Sequence, residues 1–287
     1  MFKGSAVAIV TPFNADYTVD YESLKNLLEW HVAQKTDAIV ITGTTGEAST
    51  LTNKEHLDVI GYCVEVIDGR IPVIAGTGSN DTLHMVYLSQ EAEKLGADAL
   101  LLVTPYYNKA TQEGLYQHFS HVARVVDIPI ILYSVPSRTN VEIDVETVVR
   151  LSEFDNIIGI KDATGNLEYT EKIAKALPEF YIYSGNDDLI YDVLERGGHG
   201  VISVVANILP LKTHQLIAEY FLGNKEASKQ HQEEMMPLIS NLFGEPNPIP
   251  VKYVMDKLDL IPNGTLRLPL TDLSEKYREA LEGVLHD

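Results

Sequence analysis

The sequence contains one cysteine, Cys63, so no disulfide bond can form within the chain. No Cys and His spacing typical of a zinc site occurs either. No segment approaches the ~20 consecutive apolar residues that a membrane-spanning helix requires. The apolar run in residues 1–13 is too short for a secretory signal. These absences favour a soluble protein of a reducing compartment, and we expect it to be cytoplasmic, with no metal and no membrane partner.

Positive charge is also scarce, with 22 Lys and Arg against 41 Asp and Glu and a formal net charge of -19. A nonspecific nucleic-acid binder needs clustered cations that displace counterions from phosphates. Anionic lipid surfaces likewise attract basic segments. The composition therefore argues against both kinds of partner. The acidic excess is best explained as a solvated surface that keeps the protein soluble.

Short apolar runs alternate with amphipathic stretches over about two thirds of the chain. One such stretch places Leu24, Leu27, Leu28 and His31 at helical spacing. Near-continuous apolar strands alternating with helices indicate a parallel sheet that is covered on both faces. Eight such units predict a (β/α)8 barrel of the α/β class. The eight runs span residues 5–13, 37–43, 71–78, 99–107, 128–136, 157–164, 180–187 and 200–207.

The pattern changes after residue 207, where helical stretches follow one another without strands. We therefore expect a catalytic barrel over residues 1–207 and a C-terminal helical extension over residues 208–287 that packs on it. The proline-rich segment 245–250 cannot continue a helix and is predicted to connect two of these helices.

A lysine, Lys161, directly follows an apolar run at the end of the sixth predicted strand. Active sites of such barrels lie at the carboxyl ends of the strands. Strand alternation points Ile157, Gly159 and Lys161 into the barrel, and Gly159 leaves room below the lysine. Burial there favours the neutral amine, which can attack a ketone and form an imine. The alternative is a structural lysine paired with an acid such as Asp162 or Glu47.

The other expected strand ends carry hydroxyls and glycines, without a carboxylate pair or a histidine cluster. This argues against a metal hydrolase or a two-carboxylate glycosidase. Tyr133 points inward on the strand beside Lys161, where a phenol can carry protons to and from an imine. A core tyrosine with a satisfied hydroxyl is the alternative.

The turn at residues 43–47, GTTGE, can offer successive backbone N–H groups to a small carboxylate. A phosphate loop is disfavoured because no Gly-Lys-Ser/Thr follows. Arg138 can bind a second carboxylate in a bidentate manner, unless it is simply a surface arginine. Tyr106 and Tyr107 follow the fourth strand and face different ways, so only one is expected to enter the site.

The motifs GTTGE, YSVPSRT, GIKDATGN and GVIS occur in this order, and the chain resembles the dihydrodipicolinate synthase family of pyruvate-dependent class I aldolases. The similarity runs from end to end and includes VTPYYNKATQEGLYQHF, SGNDD and EPNPIPVK. N-acetylneuraminate lyases and sugar-acid aldolases share the Gly-x-x-Gly-Glu turn, the tyrosine and the lysine. The placement of Arg138 favours the synthases over this alternative.

The resemblance implies a condensation of pyruvate with L-aspartate 4-semialdehyde to 4-hydroxy-tetrahydrodipicolinate, in lysine and diaminopimelate biosynthesis. It implies a homotetramer, a dimer of dimers, and we expect no cofactor. The implied catalytic residues are Lys161 as the Schiff base, Tyr133 as proton donor and acceptor, Thr44 as a relay, and Tyr107 from a neighbouring subunit. The implied substrate-binding residues are Thr45 and the backbone at Ile202 for the pyruvate carboxylate, Arg138 for the semialdehyde, and Gly185.

Some members of the family are inhibited by L-lysine, and this chain departs from their pattern. The matching positions are Ala48, Ser49, Asn53, His56, Asn80, His84 and Tyr106. His84 replaces a glutamate that would pair with the amino group of the effector, and Ala48 replaces a serine. The loss of a carboxylate facing an ammonium costs about 1 kcal/mol or more. We therefore expect weak or absent inhibition by lysine.

Overall fold

Eight parallel strands close into a barrel in which each strand pairs with the next and the last pairs with the first. This arrangement comes from a computed structural model that describes residues 1–286. Each predicted apolar run coincides with one strand, the first of which begins one residue early at Gly4, so the (β/α)8 fold is confirmed. The strands are β1 (Gly4–Ala8), β2 (Ala38–Ile41), β3 (Val73–Gly76), β4 (Ala99–Val103), β5 (Ile130–Ser134), β6 (Ile157–Asp162), β7 (Tyr181–Ser184) and β8 (Gly200–Ser203).

Helices surround the barrel and continue past it. Those between the strands are α1 (Tyr21–Ala33), α2 (Asn53–Ile67), α3 (Thr82–Lys94), α4 (Gln112–Ala123), α5 (Pro136–Thr139), α6 (Val145–Leu151), α7 (Leu167–Ala176) and α8 (Ile190–Leu194). After β8 follow α9 (Pro210–Phe221), α10 (Lys225–Leu242), α11 (Ile249–Lys257) and α12 (Glu275–His286). Within residues 1–286 no helix has the length and apolar character needed to cross a membrane.

Side chains at the helix ends explain several boundaries. Asp20 caps α1 by accepting a hydrogen bond from the Ser23 backbone N–H. Thr52 and Glu55 form a reciprocal capping box at the start of α2. The apolar stripe predicted for α1 is buried as expected, and Cys63 is buried in α2. These local signals fix where helices begin, while the buried stripes fix which face meets the barrel.

Two separate apolar layers form the core. The larger layer lies between strands and helices, and the smaller one fills the barrel interior with alternate strand residues such as Ala6, Ala38 and Ile131. Ile157 belongs to the outer layer, so its predicted inward orientation was wrong. The cause is a register shift: Ile130 pairs with Ile157, whereas Ile131 pairs with Gly159. The irregularity interrupts the alternation of β6 below Gly159.

The C-terminal helices pack on the barrel through α9 and on one another. Helix α9 contacts β1, and α10 packs along α9 and also contacts α12. The connector at residues 243–248 separates α10 from α11, and the last two residues of the predicted 245–250 connector begin α11. The division at residue 207 stays a prediction, since α9 occupies the place of an eighth barrel helix. Residue 287, the end of the predicted extension, lies outside the described residues.

Candidate active site

A cavity of about 560 Å³ opens at the mouth formed by the carboxyl ends of the strands. The register of β5 and β6 places Tyr133 directly opposite Lys161. Among residues 1–286, no group of three or more His, Cys, Asp or Glu side chains is arranged to hold a metal ion. Six of the predicted catalytic and substrate-binding residues line the cavity together: Thr44, Thr45, Tyr133, Arg138, Lys161 and Gly185.

Lys161 is buried, with 6% of its surface exposed, and it forms no ion pair within the described part of the chain. Its Nζ lies 4.4 Å from the centroid of the Tyr133 ring. Burial lowers the pKa of Lys161 to about 8, Asp187 acts in the opposite direction, and Arg138 adds to the lowering. Near physiological pH a minority of this amine is therefore neutral, far more than in an exposed lysine, and the neutral form is the one that attacks a ketone.

The alternative of a structural lysine paired with Glu47 or Asp162 is wrong. Glu47 Oε1 instead lies 2.6 Å from Nζ of a different lysine, Lys252. Asp162 Oδ2 accepts a hydrogen bond from the Thr170 hydroxyl at 2.6 Å. Its other oxygen, Oδ1, accepts from the backbone N–H and the hydroxyl of Thr164. Both carboxylates are thus engaged away from Lys161.

Two glycines shape the surroundings of Lys161. A Cβ atom at Gly185 would lie 2.6 Å from Ala163 Cβ and 3.1 Å from Lys161 Cε, so only glycine leaves the lysine its position. Gly159 was predicted to leave room for Lys161, but the space beside it is occupied by Tyr181. A Cβ atom there would lie 2.7 Å from the Tyr181 carbonyl oxygen, so this glycine permits the close approach of β7 rather than making room for the lysine.

Tyr133 is a buried phenol that lines the cavity and can act there as an acid or a base. Burial raises its pKa, and the charge of Arg138 and a hydrogen bond with the Thr44 side chain act in the opposite direction. The phenol therefore keeps its proton in the resting site and can donate it. Thr44 and Tyr133 line the same cavity, and the relay role of Thr44 stays a prediction.

The turn at residues 43–47 is held in an unusual backbone conformation. Glu47 has a φ of 55°, and its N–H donates to the Thr44 carbonyl at 3.1 Å. The Thr11 hydroxyl donates to the Gly46 carbonyl at 2.7 Å. These bonds keep Thr44 and Thr45 at the rim of the cavity, where the turn was expected to receive a carboxylate.

The connector between α10 and α11 reaches into the same site, which sequence reasoning missed. Asn247 Nδ2 donates to Thr45 Oγ1 at 2.9 Å, and the Asn247 carbonyl accepts from Arg138 Nη2 at 3.3 Å. One residue of the extension thus bridges the turn and Arg138. The sequence signal for Asn247 was its position between two prolines, which restrict the backbone of this segment.

Two more buried charged residues were missed. Lys252 is fully buried and follows the apolar run Ile-Pro-Val, the same signal that identified Lys161. Burial lowers the pKa of Lys252 to about 8, and the nearby Glu47 carboxylate acts in the opposite direction. The Lys252 amine donates a hydrogen bond to Glu47. Asp187 accepts backbone N–H bonds from Val204 and Val205 at 3.0 and 2.8 Å, and burial raises its pKa. Its place in the run at 180–187 gave no indication of this role.

Three predicted residues do not line the cavity. Tyr107 is 93% exposed, with a φ of 72°, so within one chain it lies away from Tyr133. Ile202 packs inside the barrel and is buried, which leaves only its backbone for a ligand. Asn80 donates from Nδ2 to the Tyr106 carbonyl at 3.2 Å. Tyr106 does line the cavity, so within one chain it is the member of the tyrosine pair that enters the site.

The remaining predicted effector positions form one side of the same cavity: Ala48, Ser49, Asn53, His56, His84 and Tyr106. His84 Nε2 lies 3.0 Å from Asn53 Oδ1, and His56 Nε2 lies 2.9 Å from the Gly76 carbonyl. Burial lowers the pKa of His56 to about 4, with a further lowering by His84. No carboxylate lines this cavity within the described residues, and weak inhibition by lysine stays a prediction.

A model of the dihydrodipicolinate synthetase family matches residues 1–287. The chain belongs to this family. A 4-hydroxy-tetrahydrodipicolinate synthase of Caldicellulosiruptor saccharolyticus is 52% identical over 288 residues, which cover 100% of this chain and 97% of that protein. The similarity inferred from the motif order is therefore confirmed over the full length.

Solved structures of dihydrodipicolinate synthetases agree with this fold. The enzyme from Aquifex aeolicus is 46% identical, with a TM-score of 0.97 over 99% of this chain and 97% of that one. A chloride-inhibited dihydrodipicolinate synthase from Acinetobacter baumannii, complexed with pyruvate, is 47% identical, with a TM-score of 0.97 over 100% of this chain and 98% of that one.

Proposed function

We propose that this protein is a lyase that condenses pyruvate with L-aspartate 4-semialdehyde to 4-hydroxy-tetrahydrodipicolinate, in lysine and diaminopimelate biosynthesis. The observation that carries the proposal is Lys161, a buried amine at the barrel mouth that forms no ion pair within residues 1–286. Its neighbour Tyr133 and the nearby Arg138 add the proton carrier and the second carboxylate site. Relatives about half identical to the chain carry the synthase name, which does not favour a sialic-acid or sugar-acid lyase.

The reaction begins at Lys161 Nζ. The neutral amine attacks C2 of pyruvate, and the adduct loses water to give a protonated imine. The imine withdraws electrons from the methyl carbon, which loses a proton and becomes the nucleophilic carbon of an enamine. That carbon attacks the aldehyde of the second substrate. The amine of the substrate then attacks C2, closes the ring and releases the lysine amine.

Tyr133 carries the protons of these steps. Its ring centroid lies 4.4 Å from Lys161 Nζ, the atom that becomes the imine nitrogen, and its raised pKa suits a group that donates a proton and takes it back. Thr44 links it to Tyr107 of a second subunit, which supplies a path to solvent. The exposure of Tyr107 in one chain agrees with a role across an interface. The assembly we propose is a homotetramer, a dimer of dimers, in the cytoplasm.

The two substrates have separate carboxylate sites. Thr45, with the backbone near Ile202 and Gly185, receives the carboxylate of pyruvate. Arg138 receives the carboxylate of the semialdehyde, since a guanidinium binds such a group through two parallel hydrogen bonds. The connector residue Asn247 contacts both sides and keeps them at a fixed separation.

A coupled assay of the purified protein with pyruvate and L-aspartate 4-semialdehyde tests the proposal. We expect consumption of both substrates, and loss of the reaction in Lys161→Ala. N-acetylmannosamine in place of the semialdehyde serves as the comparison for the lyase alternative. Turnover of the sugar in preference to the semialdehyde would overturn the proposed function.

A further inference from the structure

A buried ion pair joins the C-terminal extension to the turn at residues 43–47. Lys252 Nζ on α11 lies 2.6 Å from Glu47 Oε1, and both side chains are almost fully inaccessible, at 0% and 1% exposed. Taking two charges out of water is costly, and an apolar pair of similar volume often stabilises a protein as well or better. Stability alone therefore does not account for a charged pair at this place.

The polar groups of the pair hold several parts of the chain in a fixed geometry. The second oxygen, Glu47 Oε2, accepts from the Arg267 backbone N–H at 3.1 Å. Lys252 Nζ also donates to the Thr265 carbonyl at 2.8 Å and lies 4.2 Å from the centroid of the Phe13 ring. Glu47 is thereby tied to α11 and to the segment before α12.

The pair acts on the turn through its backbone. Glu47 is the last residue of the turn, its backbone is left-handed, and its N–H closes the turn onto the Thr44 carbonyl. A displacement of the Glu47 side chain therefore moves Thr44 and Thr45. Asn247 holds the Thr45 hydroxyl from the same side, so the extension contacts the turn at two points.

We propose that Lys252 and Glu47 are positioning residues that set the turn for binding the pyruvate carboxylate, which makes the C-terminal extension part of the pyruvate site. Neither side chain lines the cavity, so the effect is exerted through Thr44 and Thr45. The inference rests on the proposed function in one respect, namely that pyruvate is the ligand of this turn.

The test is the double variant Glu47→Gln/Lys252→Met, which removes both charges and leaves neither unpaired. The readout is the pyruvate concentration that gives half-maximal trapping of Lys161 by borohydride, followed by mass spectrometry. We expect this concentration to rise about tenfold, because a small misplacement of binding groups is costly. The KM for the semialdehyde should change by less than about twofold, since Arg138 contacts neither Glu47 nor Lys252 and donates to the backbone carbonyl of Asn247.

The matched control is Lys212→Met/Glu234→Gln, which removes a 2.6 Å ion pair between α9 and α10 at the surface of the extension. It should bind pyruvate like the wild type. A folded double variant at Glu47 and Lys252 with an unchanged half-saturating concentration would overturn the inference, whatever its melting temperature.

If this variant does not fold, Glu47→Asp keeps the charge and only withdraws the carboxylate. It should raise the concentration about threefold, and an unchanged value there would equally overturn the inference.

Trapping of pyruvate on Lys161 requires no aldehyde. The experiment on the ion pair can therefore be judged separately from the proposed condensation. A wild-type protein that is trapped by pyruvate but does not consume the semialdehyde would overturn the proposed condensation. The variants would still decide the role of the pair.

Discussion

Replacing the proposed nucleophile should stabilise the protein. In Lys161→Met a chain of similar length without charge occupies the same buried position. The pKa of this amine falls from 10.5 in an exposed lysine to about 8 in the folded protein. Since one pKa unit corresponds to about 1.4 kcal/mol, the protonated amine destabilises the folded state by about 3 kcal/mol at pH 7. The variant should gain a free energy of unfolding of this order.

The gain should depend on pH in a defined direction. Below pH 8 the amine of Lys161 is protonated in both the folded and the unfolded state, so the penalty is complete. Between pH 8 and 10.5 the folded state loses its proton first and the penalty shrinks. Above pH 10.5 both states are neutral and the penalty is absent. The advantage of Lys161→Met should therefore be full at pH 7 and largely gone at pH 10.5.

Urea unfolding of both proteins at several pH values measures this difference. Lys252→Met is the matched comparison, because burial lowers the pKa of Lys252 to about 8 as well. That lysine is paired, so its replacement leaves the buried charge of Glu47 without a counter-charge and should destabilise the protein by about 3 kcal/mol or more. A Lys161→Met variant that is less stable than the wild type at pH 7 would refute the reasoning.

Three further predictions concern the substrates and the effector. Tyr133→Phe should lower kcat by about 10² or more in the coupled assay while borohydride trapping of pyruvate persists; undiminished turnover would remove the phenol from the mechanism. Arg138→Met should raise the KM for the semialdehyde at least about tenfold and leave pyruvate trapping intact; the reverse pattern would assign it to pyruvate. L-lysine should not half-inhibit at sub-millimolar concentration, and His84→Glu should increase sensitivity; strong inhibition of the wild type contradicts this.

Most of the barrel could be predicted because each strand is a short apolar run between helical stretches. The positions of Tyr133, Lys161 and Arg138 followed from counting residues along strands and turns. Ile157 was misassigned because the β5–β6 register shift leaves no trace in the spacing of apolar residues. Counting residues along a strand predicts which side chains point inward only where the strand has no register shift.

The role of the extension could not be predicted in the same way. Lys161 and Lys252 share one sequence signature, a lysine directly after an apolar run. The fold places them in different settings: Lys161 ends a strand beside an open cavity, whereas Lys252 lies on α11 beside Glu47. Asn247 reaches Thr45 across 202 positions of the chain. Such long-range contacts depend on how α10 and α11 pack, which local patterns do not encode.

Borohydride reduction of the wild-type protein with pyruvate, followed by peptide mass spectrometry, tests directly whether Lys161 forms a Schiff base. We expect a single stable adduct on Lys161, because its amine faces the cavity and is partly neutral near pH 8. Lys252 has a similarly lowered pKa but no access to the cavity, so it should remain unmodified. A protein that is left unmodified at Lys161, or that carries the adduct on Lys252, would contradict the account.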